Sequence, residues 1–157
     1  EVGLKVVTDG EIRRSFWHYD FIGDLTGYEL QRRQEAGAQF AITQLFFRAE
    51  EYLGFVDEAK AAGLRIPVLP GLMPVSTSAQ LRKVASLAGR PAPPELEREM
   101  EASGGFAPEL GVEHSVELAR ELLAGGAPSI HLYTFNRHEQ VLAVLRQLEL
   151  LTPDPLR

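Results

Sequence analysis

The stretch AGAQFAITQLFF, residues 36 to 47, has the pattern of a buried β-strand that ends in polar residues. Its apolar residues run from Phe40 to Ile42 and resume at Leu45, a length typical of a strand covered on both faces. Thr43 and Gln44 interrupt the run. A buried glutamine either hydrogen-bonds neighbouring strands or uses its amide, which donates and accepts, to recognise the edge of a heterocycle. Both roles are open for Gln44 at this point.

Three further segments have the composition of short buried strands, and amphipathic helices are predicted between them. The strand segments are Leu4 to Thr8, Ile66 to Leu69 and Ser129 to Tyr133. The helical stripes, with apolar residues spaced three and four apart, are Tyr52 to Ala59, Val112 to Leu123 (Val112, Val116, Ala119 and Leu123) and Val141 to Leu148. Strands and helices that alternate in this way predict an α/β fold with a parallel sheet covered by helices.

The proline-rich stretch from Arg90 to Pro108 interrupts the alternation. Its centre, Glu95 to Ala102, is an acidic helical pattern. We interpret it as a surface excursion with a solvated acidic face, and not as a domain boundary.

Composition limits the classes of function. A chain of 157 residues that is 45% hydrophobic can bury one sizeable core, so residues 1–157 are expected to form a single domain. A net charge of −6 argues against nucleic acid as a partner, and no apolar run approaches the roughly 20 residues that span a bilayer. The sequence has no cysteine and its histidines are scattered, which fits a cytoplasmic protein without a metal site.

Polar residues follow each predicted strand, and they are the first candidates for function. The carboxyl ends of parallel strands carry the chemistry of βα folds, because the loops converge there. The candidates are Thr8 to Glu11, Thr43-Gln44, Pro70-Gly71 with Met73-Pro74, and His131 to Arg137.

Three blocks resemble the C-terminal half of methylenetetrahydrofolate reductase over about residues 31 to 150. They are AGAQFAITQLFF, FVDEAKAAGLRIPVLPGLMPVSTSAQLRKVA and GVEHSVELARELLAGGAPSIHLYTFNR. The resemblance implies a (βα)8 barrel that binds FAD. It implies reduction of 5,10-methylenetetrahydrofolate to 5-methyltetrahydrofolate with NADH or NADPH, in one-carbon metabolism and methionine biosynthesis.

The resemblance also assigns roles to individual residues. Gln44 matches a glutamine that contacts the folate pterin and the nicotinamide, and Gln80 matches a second folate-contacting glutamine. Arg137 matches an arginine that meets the folate, and Arg33 stands where the family has a lysine near the FAD phosphates. For Tyr133 the sequence leaves a ligand contact and a packing role open.

The first 28 residues resemble a different family. GLKVVTDGEIRRSFWHYDFIGDLTG is similar to short cobalamin-independent methionine synthase-like proteins, and Glu11 matches the glutamate that holds the homocysteine amino group. The zinc ligands of that family are absent, so no metal is expected. We therefore expect a chimera or fragment, with residues 1–28 from one source and 29–157 from the other.

Four βα units amount to about half of a barrel that normally needs ~250 residues. Exposed sheet edges predict a homo-oligomer. The family's general acid belongs to earlier strands, so the isolated chain is expected to be inactive. The alternatives are a non-catalytic half-barrel that serves assembly and a folate-dependent, methionine synthase-like methyltransferase fragment.

Overall fold

The computed structural model describes residues 34–135 and 138–150. Within these ranges the protein has three strands, β1 (Ala41–Leu45), β2 (Val68–Leu72) and β3 (His131–Leu132). They form a parallel sheet in the order β1-β2-β3. The predicted strand from Leu4 to Thr8 lies outside the described residues, so the count of four βα units remains a prediction.

Five helices accompany these strands in the described part of the chain. They are α1 (Ala49–Ala61), α2 (Ser78–Leu87), α3 (Pro94–Ala102), α4 (Pro108–Ala124) and α5 (His138–Gln147). Sequential strands that pair in parallel with helices between them are consistent with part of a (βα)8 barrel. The predicted α/β class is therefore confirmed.

The boundaries of two strands differ from the prediction. β2 covers Val68–Leu72, whereas Ile66 to Leu69 was expected, and β3 is shorter than Ser129 to Tyr133. Sequence reasoning treats Pro70 and Gly71 as strand terminators. Both residues fit into β2. The Gly71 N–H donates to Thr43 of β1, and Pro70 lies before the point where β3 begins to pair with β2.

One face of the sheet is covered by α1 and α4. Val68 and Leu72 of β2 are 4% and 1% exposed, and they pack in one cluster with Tyr52 and Leu122. The Tyr52 hydroxyl donates a hydrogen bond to the Val68 carbonyl oxygen at 2.7 Å. The stripe predicted for α4 is displaced by one residue at its end, because Leu122 is buried and Leu123 is 40% exposed. We call this side of the sheet the helix-covered face.

A second cluster joins the ends of β1 and β2 to α2 and α3. Leu45 and Met73 pack there with Leu81 and Met100. The acidic segment is therefore more than a surface excursion, since Met100 is 0% exposed beneath its glutamates. Those glutamates remain on the outer side, and Arg82 of α2 pairs with two of them, Glu97 at 2.9 Å and Glu101 at 2.6 Å.

The start of α4 lies directly against the segment after β2. A Cβ atom at Gly111 would overlap the backbone of Val75, including its carbonyl oxygen. The helix can approach so closely only because this position has no side chain. No helix in the described ranges is long and apolar enough to cross a membrane.

Candidate functional site

The side of the sheet opposite the helices carries residues that the apolar clusters leave out. Side chains alternate along a strand, so Leu69 and Gly71 point away from the face that buries Val68 and Leu72. Ile42 is the pairing partner of Leu69 and shares its side. Ile42 and Leu69 are half-buried and belong to none of the clusters formed by the described residues. We call this surface, defined by Ile42 and Leu69, the open face.

A β-bulge lies where β1 ends. Ile42 pairs with Leu69 and Leu45 with Gly71, so Thr43 and Gln44 together oppose one residue of β2. The ladder resumes where the Phe46 N–H donates to the Gly71 carbonyl oxygen at 3.1 Å. Bulges of this kind bend a strand and change the direction of a side chain, often beside a functional site.

The Thr43 hydroxyl occupies the gap in the ladder. It accepts a hydrogen bond from the Gly71 N–H at 3.0 Å and donates one to the Gln44 carbonyl oxygen at 2.8 Å. Thr43 is 8% exposed, so these bonds are made in a buried environment. A side chain therefore replaces part of the backbone pairing at this point.

Tyr133 follows β3 and reaches across β2 to β1. Its hydroxyl donates to the Thr43 carbonyl oxygen at 3.1 Å, and its ring meets the His131 ring edge-on at 4.5 Å between centroids. A Cβ atom at Gly71 would lie 2.7 Å from Tyr133 Cε2 and 2.6 Å from the Thr43 carbonyl oxygen. Gly71 is thus the residue that lets the ring cross the sheet. This contact supports the packing role that the sequence left open for Tyr133.

Gln44 lies at the end of β1, inside the bulge. It is half-buried, and its side-chain amide has no hydrogen-bond partner among residues 34–135 and 138–150. A glutamine that only held neighbouring strands together would have such a partner. Gln44 therefore does not link neighbouring strands through its side chain within the described residues, and its contact with a ligand stays a prediction.

Gln80 has a structural role that the sequence reasoning missed. Its N–H donates to Thr77 Oγ1 at 3.0 Å, and its side-chain Oε1 accepts from the Ser76 N–H at 2.8 Å. This is a variant of the capping box, in which a Thr and a Gln three residues later satisfy N–H groups at a helix start. The T-x-x-Q spacing was visible in the sequence. The NH2 group of the Gln80 side chain has no hydrogen-bond partner within the described ranges.

Three other predicted site residues, Glu11, Arg33 and Arg137, lie outside the described residues. Their roles stay predictions. In the part of the chain that is described, no group of three His, Asp or Glu side chains is placed to hold a metal ion.

A separate cavity of about 440 Å³ lies on the helix side, between α1, α3 and α4. His114 lines it, and its buried Nε2 has no hydrogen-bond partner in the described structure. Burial lowers the pKa of His114, and this outweighs Glu117, a backbone hydrogen bond with Phe47, and Glu121, which act to raise it. The other lining residues are mostly acidic or apolar: Arg48, Glu50, Pro93, Glu95, Leu96 and Leu118. The sequence signal for this cavity was weak, because its glutamates come from separate helices.

Comparison with known families decides the identity of the chain. The family described as "Methylenetetrahydrofolate reductase" matches residues 20–149. The chain belongs to the methylenetetrahydrofolate reductase family. The match begins earlier than expected, so residues 20 to 28, which we had assigned to the methionine synthase-like segment, fall within the reductase match. The resemblance of the remaining N-terminal residues to methionine synthase stays a prediction.

Individual reductases align over most of this chain but only part of their own length. "Probable methylenetetrahydrofolate reductase (NADPH)" of Caenorhabditis elegans is 36% identical over 77% of this chain and 19% of its own. "Methylenetetrahydrofolate reductase (NADH) 1" of Arabidopsis thaliana is 30% identical, with shares of 78% and 21%. "5,10-methylenetetrahydrofolate reductase" of Salmonella typhimurium is 33% identical, with shares of 76% and 41%. The chain therefore spans less than half the length of these family members.

Proposed function

We propose that this chain forms the folate-facing part of an FAD-dependent methylenetetrahydrofolate reductase. One observation carries the proposal: Gln44, a half-buried amide at the end of a parallel strand, has no partner within the described residues. The family membership supplies the ligands that such an amide would bind. These are 5,10-methylenetetrahydrofolate and NAD(P)H, and relatives named for NADPH and for NADH both align with this chain.

The chemistry of an amide suits this task. One edge of a pterin presents donors and acceptors side by side, and the carboxamide of a nicotinamide does the same. A glutamine side chain can pair with either, since it offers two N–H donors and one carbonyl acceptor. Gln44 would thereby recognise whichever of the two ligands occupies the site.

Gln80 and Arg137 complete the proposed folate contacts. The Gln80 carbonyl is engaged at the helix cap, so only its NH2 group would donate to the folate. The Arg137 guanidinium would contact a carboxylate or a ring oxygen of the folate. The cap holds Gln80 in one orientation, which lowers the entropy cost of using the remaining donors.

FAD fits the described residues only in part. A planar ring could lie against the open face beside Gln44, whereas a diphosphate needs cationic partners. Arg33, the residue proposed for that role, lies outside the described ranges. When bound, FAD would supply the hydride transfer. We derive no step of the reaction through it.

We propose that the described strand ends bind and orient the substrate and do not supply the proton. No general acid is assigned to this chain, and turnover needs one. The expected result is folate binding without reductase turnover in the isolated chain. A cytoplasmic location, in keeping with a cysteine-free sequence, is part of the same proposal.

The test is the affinity of the purified chain for 5-methyltetrahydrofolate, measured by calorimetry. Gln44→Ala should weaken binding by about 0.5 to 1.5 kcal/mol, the value of a neutral hydrogen bond, and Arg137→Ala by about 1.5 to 3 kcal/mol. Gln39→Ala is the matched control, because Gln39 is exposed just before β1. Equal affinities of the wild type and the Gln44→Ala, Arg137→Ala double variant would overturn the proposal.

A second candidate function is assembly without catalysis. The half-buried Ile42 and Leu69 on the open face favour it, because apolar side chains there gain from a covering partner. The partner we propose is a second copy of this chain, as in a homo-oligomer. A yellow flavoprotein after purification would favour the reductase, while a colourless dimer by light scattering would favour assembly. Methyl transfer involving Glu11 would require homocysteine binding, which calorimetry also measures.

A further inference from the structure

We infer that Thr43, Gly71 and Tyr133 are positioning residues that set the direction of the Gln44 side chain. The inference deepens the proposed function and rests on it, because it explains how the strand end would hold the folate-reading amide. Nothing in the sequence motif alone assigns these roles, since the three residues come from three different strand ends.

The first step concerns the backbone around Gln44. In a regular parallel ladder, the N–H and C=O groups of β1 would fix this segment by pairing with β2. The bulge interrupts that pairing at Thr43 and Gln44. The direction of the Gln44 side chain therefore depends on whatever holds the two irregular residues.

The second step identifies what holds them. The Thr43 carbonyl oxygen accepts from the Tyr133 hydroxyl at 3.1 Å, and the Gln44 carbonyl oxygen accepts from the Thr43 hydroxyl at 2.8 Å. Two side-chain hydroxyls thus fix the two consecutive carbonyls that flank the Gln44 backbone. Each bond restrains rotation of a peptide plane, and rotation of either plane would turn the Gln44 side chain.

The third step explains why position 71 is a glycine. The Thr43 hydroxyl can donate to Gln44 in part because it accepts from the Gly71 N–H at 3.0 Å, which orients it. The Tyr133 ring reaches Thr43 only by crossing Gly71, where a Cβ atom would lie 2.7 Å from the ring. Gly71 therefore serves both hydroxyl contacts, one through its N–H and one through its missing side chain.

The test uses the full chain and two hydroxyl deletions. Thr43→Val and Tyr133→Phe each remove one hydroxyl, and Thr43→Ser is the matched control that keeps it. The first readout is the side-chain NH2 signal of Gln44 in ¹⁵N-edited NMR without ligand. We expect both deletions to shift this signal and lower its order parameter, while Thr43→Ser leaves it close to the wild type.

The second readout is the affinity for 5-methyltetrahydrofolate in two backgrounds. With Gln44 present, each deletion should weaken binding by about 2-fold or more, within the roughly 12-fold limit of one neutral hydrogen bond. In a Gln44→Ala background the same deletions should have no further effect, because positioning residues act only through Gln44. A purely structural role would weaken binding equally in both backgrounds.

The outcomes separate the inference from the proposed function. If Gln44→Ala leaves folate binding unchanged, the proposed function fails, and the NMR signal alone then decides the positioning role. If both deletions leave the Gln44 signal unchanged, or if their effects persist in the Gln44→Ala background, the positioning role is wrong. Tyr133→Phe removes only the hydroxyl of a half-buried ring and serves as the test should Thr43→Val unfold the chain.

Discussion

The helix-covered face and the strand end at Gln44 are held together by different forces. On the helix-covered face, Leu122 and Tyr52 are 0% and 1% exposed, and apolar burial dominates. At the strand end, Thr43, Gly71 and Tyr133 are joined by directed hydrogen bonds around a bulge. Apolar packing stabilises the fold without a preferred direction, whereas hydrogen bonds fix the direction of one side chain. Substitutions in the two regions should therefore change different measurable quantities.

The largest effect on stability should come from the helix-covered face. Leu122→Ala removes a fully buried side chain and leaves a cavity, so the free energy of unfolding should fall by about 2 to 5 kcal/mol in urea titrations. The neighbouring Leu123→Ala is the control, because Leu123 is 40% exposed and should cost far less. Similar losses for both variants would contradict the packing described for α4.

The contact between α4 and the segment after β2 lies where the two regions meet, and a substitution at Gly111 tests it. Gly111→Ala would place a Cβ on the Val75 backbone, so we expect a loss near the upper end of about 1 to 3 kcal/mol. Gly54→Ala, in the exposed part of α1 with nothing within 4 Å, should instead stabilise by up to about 1 kcal/mol. Thermal melts of the two variants should therefore move in opposite directions.

A smaller change in stability is expected at the N-terminal cap of α2, which lies near the strand ends. Thr77→Ala removes the acceptor of the Gln80 N–H and should cost about 0.5 to 2 kcal/mol of unfolding free energy. Thr77→Ser keeps the acceptor and should stay near the wild type. A full loss with serine would show that the threonine methyl, and not the hydrogen bond, stabilises this end of the helix.

The smallest expected effect is on the pH dependence of the free energy of unfolding. Burial holds the pKa of His114 below its ordinary value of about 6.5, so the unfolded chain binds the proton first as the pH falls. The stability contributed by neutral His114 is complete above that value and declines below it. His114→Gln should reduce the loss of unfolding free energy between pH 7.5 and pH 5.5, whereas His138→Gln, at an exposed position, serves as the control.

Local patterns predicted the elements better than their connections. The stripes of α1 and α5 and the strand around Ile42 follow from spacing alone, because each element buries one side. The bulge was invisible, since it depends on Thr43 meeting Gly71, 28 residues further along the chain. The early end predicted for β2 has the same origin: Pro70 and Gly71 are unfavourable in an isolated strand and acceptable in this sheet.

The candidate site was predicted in the same uneven way. Gln44 was singled out by its unusual place in an apolar run, and its ligand contact stays a prediction; its amide has no partner among the described residues. The engagement of Gln80 in the α2 cap was missed although the T-x-x-Q spacing was present. The hydrogen bond from Tyr133 to Thr43 is visible only in the structure, because it joins residues on β1 and after β3 that no sequence spacing relates.

That contact also has a consequence for the order of folding. The Tyr133 hydroxyl and the Thr43 carbonyl are separated by 90 residues, so their meeting closes one of the longer loops in the described chain. Long-range contacts form late, because the entropy of the intervening chain must be lost first. During synthesis, β1 emerges well before Tyr133 exists, and the end of β1 takes its final shape only after β3 has docked. Recognition of a ligand by Gln44 should thus be acquired only after β3 has docked.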